Sequence, residues 1–167
     1  DFEDVTKLIL PGVGAFDHAM IKLNDSGLRD RLEKLVCMDK IPVLGICVGM
    51  QMLTKSSDEG NLPGLGWIDG KVKKFNTNDI QYKTKLPHMG WNDTYAIEKN
   101  PLLTSAAFYF LHSYYFLPTD RKDALAEFEY GDKMVCAVGK GNIFGVQFHP
   151  EKSHDNGTTL LENFSKI

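Results

Sequence analysis

The stretch Pro42-Val43-Leu44-Gly45-Ile46-Cys47-Val48-Gly49-Met50-Gln51 restricts the folds open to this chain more than any other segment does. Its apolar first half reads as a buried strand, and it runs directly into Gly-x-Cys-x-Gly and a helix over about Val48–Thr54. A strand that turns this sharply into a helix thrusts the central side chain out at the end of a sheet. Glycines on either side remove β-carbons where backbone segments come close. Cys47 is therefore the candidate nucleophile, set at a helix N-terminus where free N–H groups and the dipole favour thiolate. The N–H of Val48 is placed to face a developing oxyanion. An inert buried cysteine is the competing reading. It holds for Cys37, which closes an amphipathic helix, and for Cys136, which lies in an apolar run; the glycine spacing sets Cys47 apart.

The neighbouring segments fit one architecture. Val5–Leu10 is a short apolar run closed by Pro11-Gly12, a buried strand ending in a turn. From Phe16 to Cys37 apolar residues recur near helical spacing, broken at Asn24-Asp25-Ser26-Gly27, so two helical pieces are expected. Alternating strands and helices with near-continuous apolar strands predict an α/β fold with a parallel sheet covered on both faces. After Ser56 the glycines multiply and strand-like pieces follow at Lys71–Phe75, Phe108–Leu117, Asp123–Glu129 and Asn142–Phe148. These predict an antiparallel or mixed extension of the sheet, closed by a helix over Thr158–Ser165.

A second chemical motif stands near the end, Gly145-Val146-Gln147-Phe148-His149-Pro150-Glu151. The strand delivers His149 and stops at Pro150, which cannot donate to a ladder. Residues i and i+2 of an extended segment face the same way, so Glu151 can reach back to His149. A carboxylate on one imidazole nitrogen fixes the tautomer and frees the other nitrogen to take a thiol proton. Cys47 and His149 both follow on strands, and groups at the carboxyl ends of strands in an open α/β sheet share one crevice. A Cys47–His149–Glu151 triad follows. Structural zinc wants four closed ligands and local pairs, which this set lacks; His18 and His154 have no such context and are read as surface residues.

Composition sets the outer limits. The 167 residues fit a single domain, and 43% hydrophobic with 25% charged residues is an ordinary globular balance. A net charge of −3 offers no footprint for nucleic acid, and no apolar run is long enough to span a membrane. Three cysteines without a C-x-x-C pair argue against a disulfide framework and point to a cytoplasmic location.

Four segments together resemble the class I (triad) glutamine amidotransferases: Leu10-Pro11-Gly12-Val13-Gly14, Gly45–Gln51, Pro87-His88-Met89-Gly90-Trp91-Asn92 and Gly145–Ser153. Within that class they look like the glutaminase subunits of imidazole glycerol phosphate synthases. The resemblance covers essentially the whole chain, and its third segment, Pro87–Asn92, expected as a loop, is the most particular to the subfamily. It implies a three-layer α/β/α flavodoxin-like fold with a mixed, mostly parallel central sheet, and it implies glutamine as substrate. It places glutamine-binding groups at Gln51, at Glu59, and along Tyr109–Tyr114 at His112, Ser113 and Tyr114. The Pro-Gly-Val-Gly segment borders the oxyanion hole, at Val13 and Gly14. A (β/α)8 cyclase subunit is implied as heterodimer partner, docking on Met89, Trp91, Asn92, Tyr109 and Lys152. Trp91 in the core is the alternative to Trp91 on the surface. No cofactor and no metal are implied. Family members carry a further strand and helix before the segment matching Val5–Leu10, so the chain is expected to be shortened at its N-terminus.

Three rival readings differ in class. A paralogous glutaminase feeding a sugar amidation in surface-polysaccharide synthesis shares the chemistry and fits Lys71–Lys74 and the tail Lys152–Gly157. The cysteine peptidase and deglycase group carries a similar cysteine elbow but lacks His-Pro-Glu. A regulatory pseudo-subunit is opposed by the complete triad.

Overall fold

The structure is a computed structural model that describes residues 4–78, 80–82 and 85–167. Residues 1–3, the lead-in to the first strand, lie outside the described residues. Three strands form the part of the sheet that carries the chemistry. They are β1 (Leu8–Gly12), β2 (Val43–Cys47) and, from the far end of the chain, β10 (Ile143–Val146). β2 lies between the other two and is parallel to both, with Gly12 opposite Cys47 and Val146 opposite Ile46. The carboxyl ends of all three strands thus meet at one edge.

From β10 to its next neighbour the pairing turns antiparallel. β9 (Asp132–Lys140) pairs with β10, and the sheet divides at β9. One arm runs through β7 (Tyr114–Pro118) and β4 (Gly70–Lys74) to the two-residue β3 (Ser56–Ser57). The other runs through β8 (Ala124–Tyr130) and β5 (His88–Ala96) to β6 (Ala106–His112). The sheet is mixed, with two parallel ladders beneath the cysteine turn, a mainly antiparallel extension after Ser56, and a short parallel pairing of β3 with β4 at the far end of that extension.

Helices cover both faces, giving three layers. On one face lie α1 (Phe16–Asp25), α2 (Arg29–Glu33) with its π-helical continuation Lys34–Met38, and α3 (Val48–Met52). On the other lies α4 (His154–Lys166). The strand period of two splits β2 between the faces: Val43 and Cys47 pack with Phe16, Met20 and Met50, whereas Leu44 packs with Phe144, Leu160 and Phe164. α1 buries Phe16, Met20 and Leu23 at helical spacing, and α4 does the same with Gly157, Leu160 and Phe164. Among the described residues no helix is long and apolar enough to cross a membrane.

Four local expectations are corrected. Pro11-Gly12 does not end the first strand, because β1 starts only at Leu8 and continues through Gly12. Among the described residues β1 is an edge strand, where a proline without an N–H is tolerated. Phe108–Leu117 is two strands, broken at Ser113, rather than one. Pro87–Asn92 is not simply a loop: from His88 it enters the nine-residue β5, which pairs with both β6 and β8. The closing helix starts at His154, four residues before Thr158.

Candidate functional site

Cys47 occupies the turn between β2 and α3 with φ +55 and ψ −113, a conformation that non-glycine residues adopt only where their surroundings impose it. The surroundings here are backbone. A β-carbon on Gly49 would lie 1.8 Å from the Leu10 carbonyl oxygen, and one on Gly12 would lie 2.6 Å from the Gly49 nitrogen. One on Gly45 would meet the Gly49 carbonyl at 2.7 Å. Three glycines from β1, β2 and α3 therefore let three backbone segments close beneath the cysteine. Two of these glycines flank Cys47 in sequence. The third, Gly12, reads as a turn signal and is in fact a packing residue.

A cavity of about 260 Å³ opens over this turn. Its lining draws together Val13, Gly14, Cys47, Val48, Gln51, Glu59, His112, Ser113, Tyr114 and His149, every site residue expected from the motifs outside the docking set except Glu151, together with Pro87 and Leu111. Glu151 stands behind the ring: its Oε1 accepts from His149 Nδ1 at 2.8 Å. With Nδ1 so engaged, Nε2 is the free position of the ring. It is buried and has no hydrogen-bond partner among the described residues. No hydrogen bond joins it to Cys47. The thiol instead lies 3.9 Å from the Leu111 carbonyl and accepts from Gln147 Nε2 at 3.8 Å.

The expectation of a resting thiolate is corrected. Burial pushes the Cys47 thiol up to about 11; the Val48 N–H and the Gln147 amide favour the thiolate but are outweighed, and Glu151 and Glu59 add to the rise. A helix of five residues offers little dipole against that desolvation. Attack through sulfur thus requires a base to take its proton.

The glutamine-binding candidates are arranged as a wall. Gln51 is no helix surface residue, being only 3% exposed. Its Nε2 donates to Gln147 Oε1 at 3.1 Å and to the Tyr114 carbonyl at 3.4 Å. Glu59 Oε2 accepts the Phe16 N–H at the start of α1. His112 Nδ1 donates to the Tyr114 carbonyl at 2.8 Å. Val13 is 78% exposed and lies across the opening.

The docking candidates separate into two groups. Met89 and Trp91, 60% and 48% exposed, point outward from β5. Trp91 meets Tyr109 edge-on at 6.3 Å, and Lys152 Nζ lies 5.6 Å over the Tyr109 ring. His154, read as an isolated surface residue, stacks on Trp91 at 5.4 Å and belongs to this patch. Asn92 does not. It sits on the other face of the strand, where Nδ2 meets His88 Nε2 at 3.3 Å and donates to the Glu129 carbonyl at 2.9 Å. Sequence spacing alone groups it with Trp91; the strand period of two takes it away.

Residues 4–167 match the family described as glutamine amidotransferase class-I. The chain belongs to this family. Curated relatives of this class I glutamine amidotransferase include the imidazole glycerol phosphate synthase subunit HisH of Bdellovibrio bacteriovorus, 57% identical over 97% of the chain and 81% of that protein. The subunit of the same name from Leptospira interrogans is 52% identical over 100% of the chain and 84% of its own length. Among solved structures, one described as a glutamine amidotransferase superposes with a TM-score of 0.72 at 23% identity, covering 98% of this chain and 81% of that one. The PurLQS structure from Thermotoga maritima gives 0.71 at 16% identity, covering 98% and 80%. At those identities the solved structures speak for the fold.

Two residues of this amidotransferase escape motif reading. Gln147, fully buried, bridges the Cys47 sulfur and the Gln51 amide. Its position two residues before His149 on an extended segment was the available signal. Ser153, also fully buried, donates to the His149 carbonyl at 2.6 Å and accepts the Tyr109 N–H at 3.0 Å. It ties the histidine segment to β6. Among the described residues no cluster of His, Cys, Asp and Glu is arranged to hold a metal.

Proposed function

We propose that this chain hydrolyses glutamine to glutamate and ammonia and delivers the ammonia to a (β/α)8 cyclase partner, which uses it to form imidazole glycerol phosphate in histidine biosynthesis. The observation that carries the chemistry is the single cavity lined by Cys47, Val48, Gln51, Glu59, His112–Tyr114 and His149, drawn from separate segments of the chain. The pathway rests on the HisH subunits that the chain resembles at 57% and 52% identity.

His149, held by Glu151 through Nδ1, removes the Cys47 proton at Nε2. The sulfur attacks the side-chain amide carbon of glutamine. Negative charge moves to the amide oxygen, where the Val48 N–H and the Val13-Gly14 backbone receive it. Nε2–H then protonates the leaving nitrogen, the C–N bond breaks and ammonia departs, leaving a glutamyl thioester. Water, activated by Nε2, adds to that carbon; the C–S bond breaks, and glutamate and the thiol are regenerated. Because sulfur begins as a buried thiol without a hydrogen bond to its base, this cycle needs a small approach of Cys47 and His149. Engagement of the partner over Met89, Trp91, Tyr109 and Lys152, and a rearrangement at Val13, are the steps that bring it about.

The test is Cys47→Ala assayed with the cyclase partner. Glutamine-dependent product formation is lost, while added ammonia still supports the partner's reaction. Glutamine hydrolysis that survives the substitution refutes the assignment. The unpartnered chain should be nearly silent; full glutaminase activity on its own refutes the gating.

A further inference from the structure

His112 and His88 are joined by a hydrogen bond, His88 Nδ1 to His112 Nε2 at 3.1 Å, within a box of aromatic rings. Phe128 stacks on His88 at 5.4 Å with Phe110 and Tyr130 beside it, and Phe75 lies 5.1 Å from His112. The ends of this pair set its direction. At the cavity, His112 Nδ1 faces the Tyr114 carbonyl at 2.8 Å, and a carbonyl only accepts, so Nδ1 carries the proton. At the outer end, Asn92 Nδ2 gives one hydrogen to the Glu129 carbonyl at 2.9 Å and its other to His88 Nε2 at 3.3 Å. The Glu129 contact fixes which end of the amide is nitrogen. His88 Nε2 is then an acceptor, His88 Nδ1 a donor and His112 Nε2 an acceptor. Burial depresses both rings, to about 4 for His88 and about 3 for His112, so neither takes the second proton that would blur this order.

We infer that Asn92, His88 and His112 form one directional relay, Asn92→His88→His112→Tyr114 carbonyl, in which Asn92 and His88 are positioning residues for the Ser113–Tyr114 wall of the cavity. The same carbonyl accepts from Gln51 Nε2, so the relay and the α3 side converge on one atom. The relay starts on the strand whose other face carries Met89 and Trp91. Gly90 stands between His88 and Asn92 at φ +128, a backbone conformation that residues with a β-carbon rarely adopt. As an account of how glutamine is held, the inference rests on the proposed function; the tautomers do not.

Nitrogen-15 NMR of the imidazoles in the full chain tests it first. His88 and His112 are both expected as neutral Nδ1–H tautomers at neutral pH; an Nε2–H tautomer at either overturns the relay. Asn92→Asp, equal in size but only an acceptor, then forces the order to invert or a proton to be taken up. The His112 resonances should change although the substitution is two hydrogen bonds away, and an unchanged His112 spectrum overturns the coupling. With the cyclase partner present, Asn92→Asp should raise the glutamine KM about tenfold with a smaller change in kcat, the scale of one buried hydrogen bond. An unchanged KM alongside altered tautomers overturns the positioning role. A wild-type complex that hydrolyses no glutamine overturns the functional reading alone, leaving the tautomers to decide the relay.

Discussion

Acid is a sharp probe of the two histidines buried behind the cavity. Both rings are held below their ordinary value of 6.5: His88 at about 4, through burial, and His112 at about 3. For His112 burial again dominates, with repulsion from His88 and His149 adding to it and the bond to Tyr114 opposing it. As pH falls below 6.5 the unfolded chain takes up protons that the folded chain refuses. Their contribution to stability is therefore complete above about 6.5, erodes below it and levels off only near the folded values. At about pH 5 each histidine costs RT ln(1 + 10^1.5), roughly 2 kcal/mol, and the pair costs about 4 kcal/mol. This figure barely depends on how far below 5 the folded values lie. Urea unfolding at about pH 7.5 and about pH 5 gives the loss for the wild type and for His112→Gln, and other titrating groups cancel in the comparison. The variant should lose about 2 kcal/mol less than the wild type, close to 1 M in urea midpoint for a slope near 2 kcal/mol/M. If the two proteins lose the same amount, the buried neutral pair is wrong.

Two further outcomes follow from the cysteine turn. Gly49→Ala drives a β-carbon to 1.8 Å from the Leu10 carbonyl, a backbone atom that cannot step aside. A cost of about 2–3 kcal/mol, or roughly 4–12 °C in melting temperature, is expected with loss of glutaminase activity; a melting curve that does not move contradicts the packing. Alkylation of Cys47 by iodoacetamide in the unpartnered chain, followed by peptide mass mapping because Cys37 is also partly accessible, should quicken about tenfold per pH unit between about pH 7 and about pH 9. A plateau below about pH 8 shows a stabilised thiolate and contradicts the burial of a thiol pushed up to about 11.

What was legible in the sequence is what local chemistry dictates. Gly45-Ile46-Cys47-Val48-Gly49 specifies a strand, a tight turn and a helix regardless of the rest of the chain, and the structure has all three. His149 and Glu151, two residues apart, meet as extended geometry requires. The misses arise where tertiary pairing overrides local signals. Pro87–Asn92 carries a proline and a glycine and reads as a loop, yet pairing with β6 over His88–Thr94, continued with β8 over Thr94–Ala96, holds His88–Ala96 as a strand. That pairing reverses the reading of Asn92: a polar residue beside an exposed tryptophan reads as surface, and alternation turns it inward. Gln147 is an ordinary polar residue in the sequence, and Gln51 stands out only through the family resemblance. Only the closure of β10 against β2 puts their amides together under the sulfur.

The same closure bears on the protonation of the Cys47 sulfur. A thiol becomes a good nucleophile when its charge is solvated or paired, and Cys47 has neither advantage. It is buried, two carboxylates raise it further, and its one side-chain donor among the described residues, Gln147, lies at 3.8 Å. His149 is oriented by Glu151 but leaves Nε2 without a partner. His149 is thus held in orientation while its Nε2 makes no hydrogen bond to the Cys47 sulfur. The His149 segment is tied through Ser153 to β6, and β6 pairs along its length with β5, whose outer face presents Met89 and Trp91. Pressure on that face therefore has a hydrogen-bonded route to His149 through Tyr109 and Ser153, whereas it reaches Cys47, which the three glycines lock from below, only through the long contact of its sulfur with the carbonyl of Leu111, the residue opposite Met89. Under the proposed function, partner binding moves the histidine toward the sulfur rather than the sulfur toward the histidine. Ser153→Ala separates this from motion of the cysteine: it should weaken activation by the partner while leaving the alkylation rate of Cys47 in the unpartnered chain unchanged. A faster alkylation with intact activation would place the moving part at the turn instead.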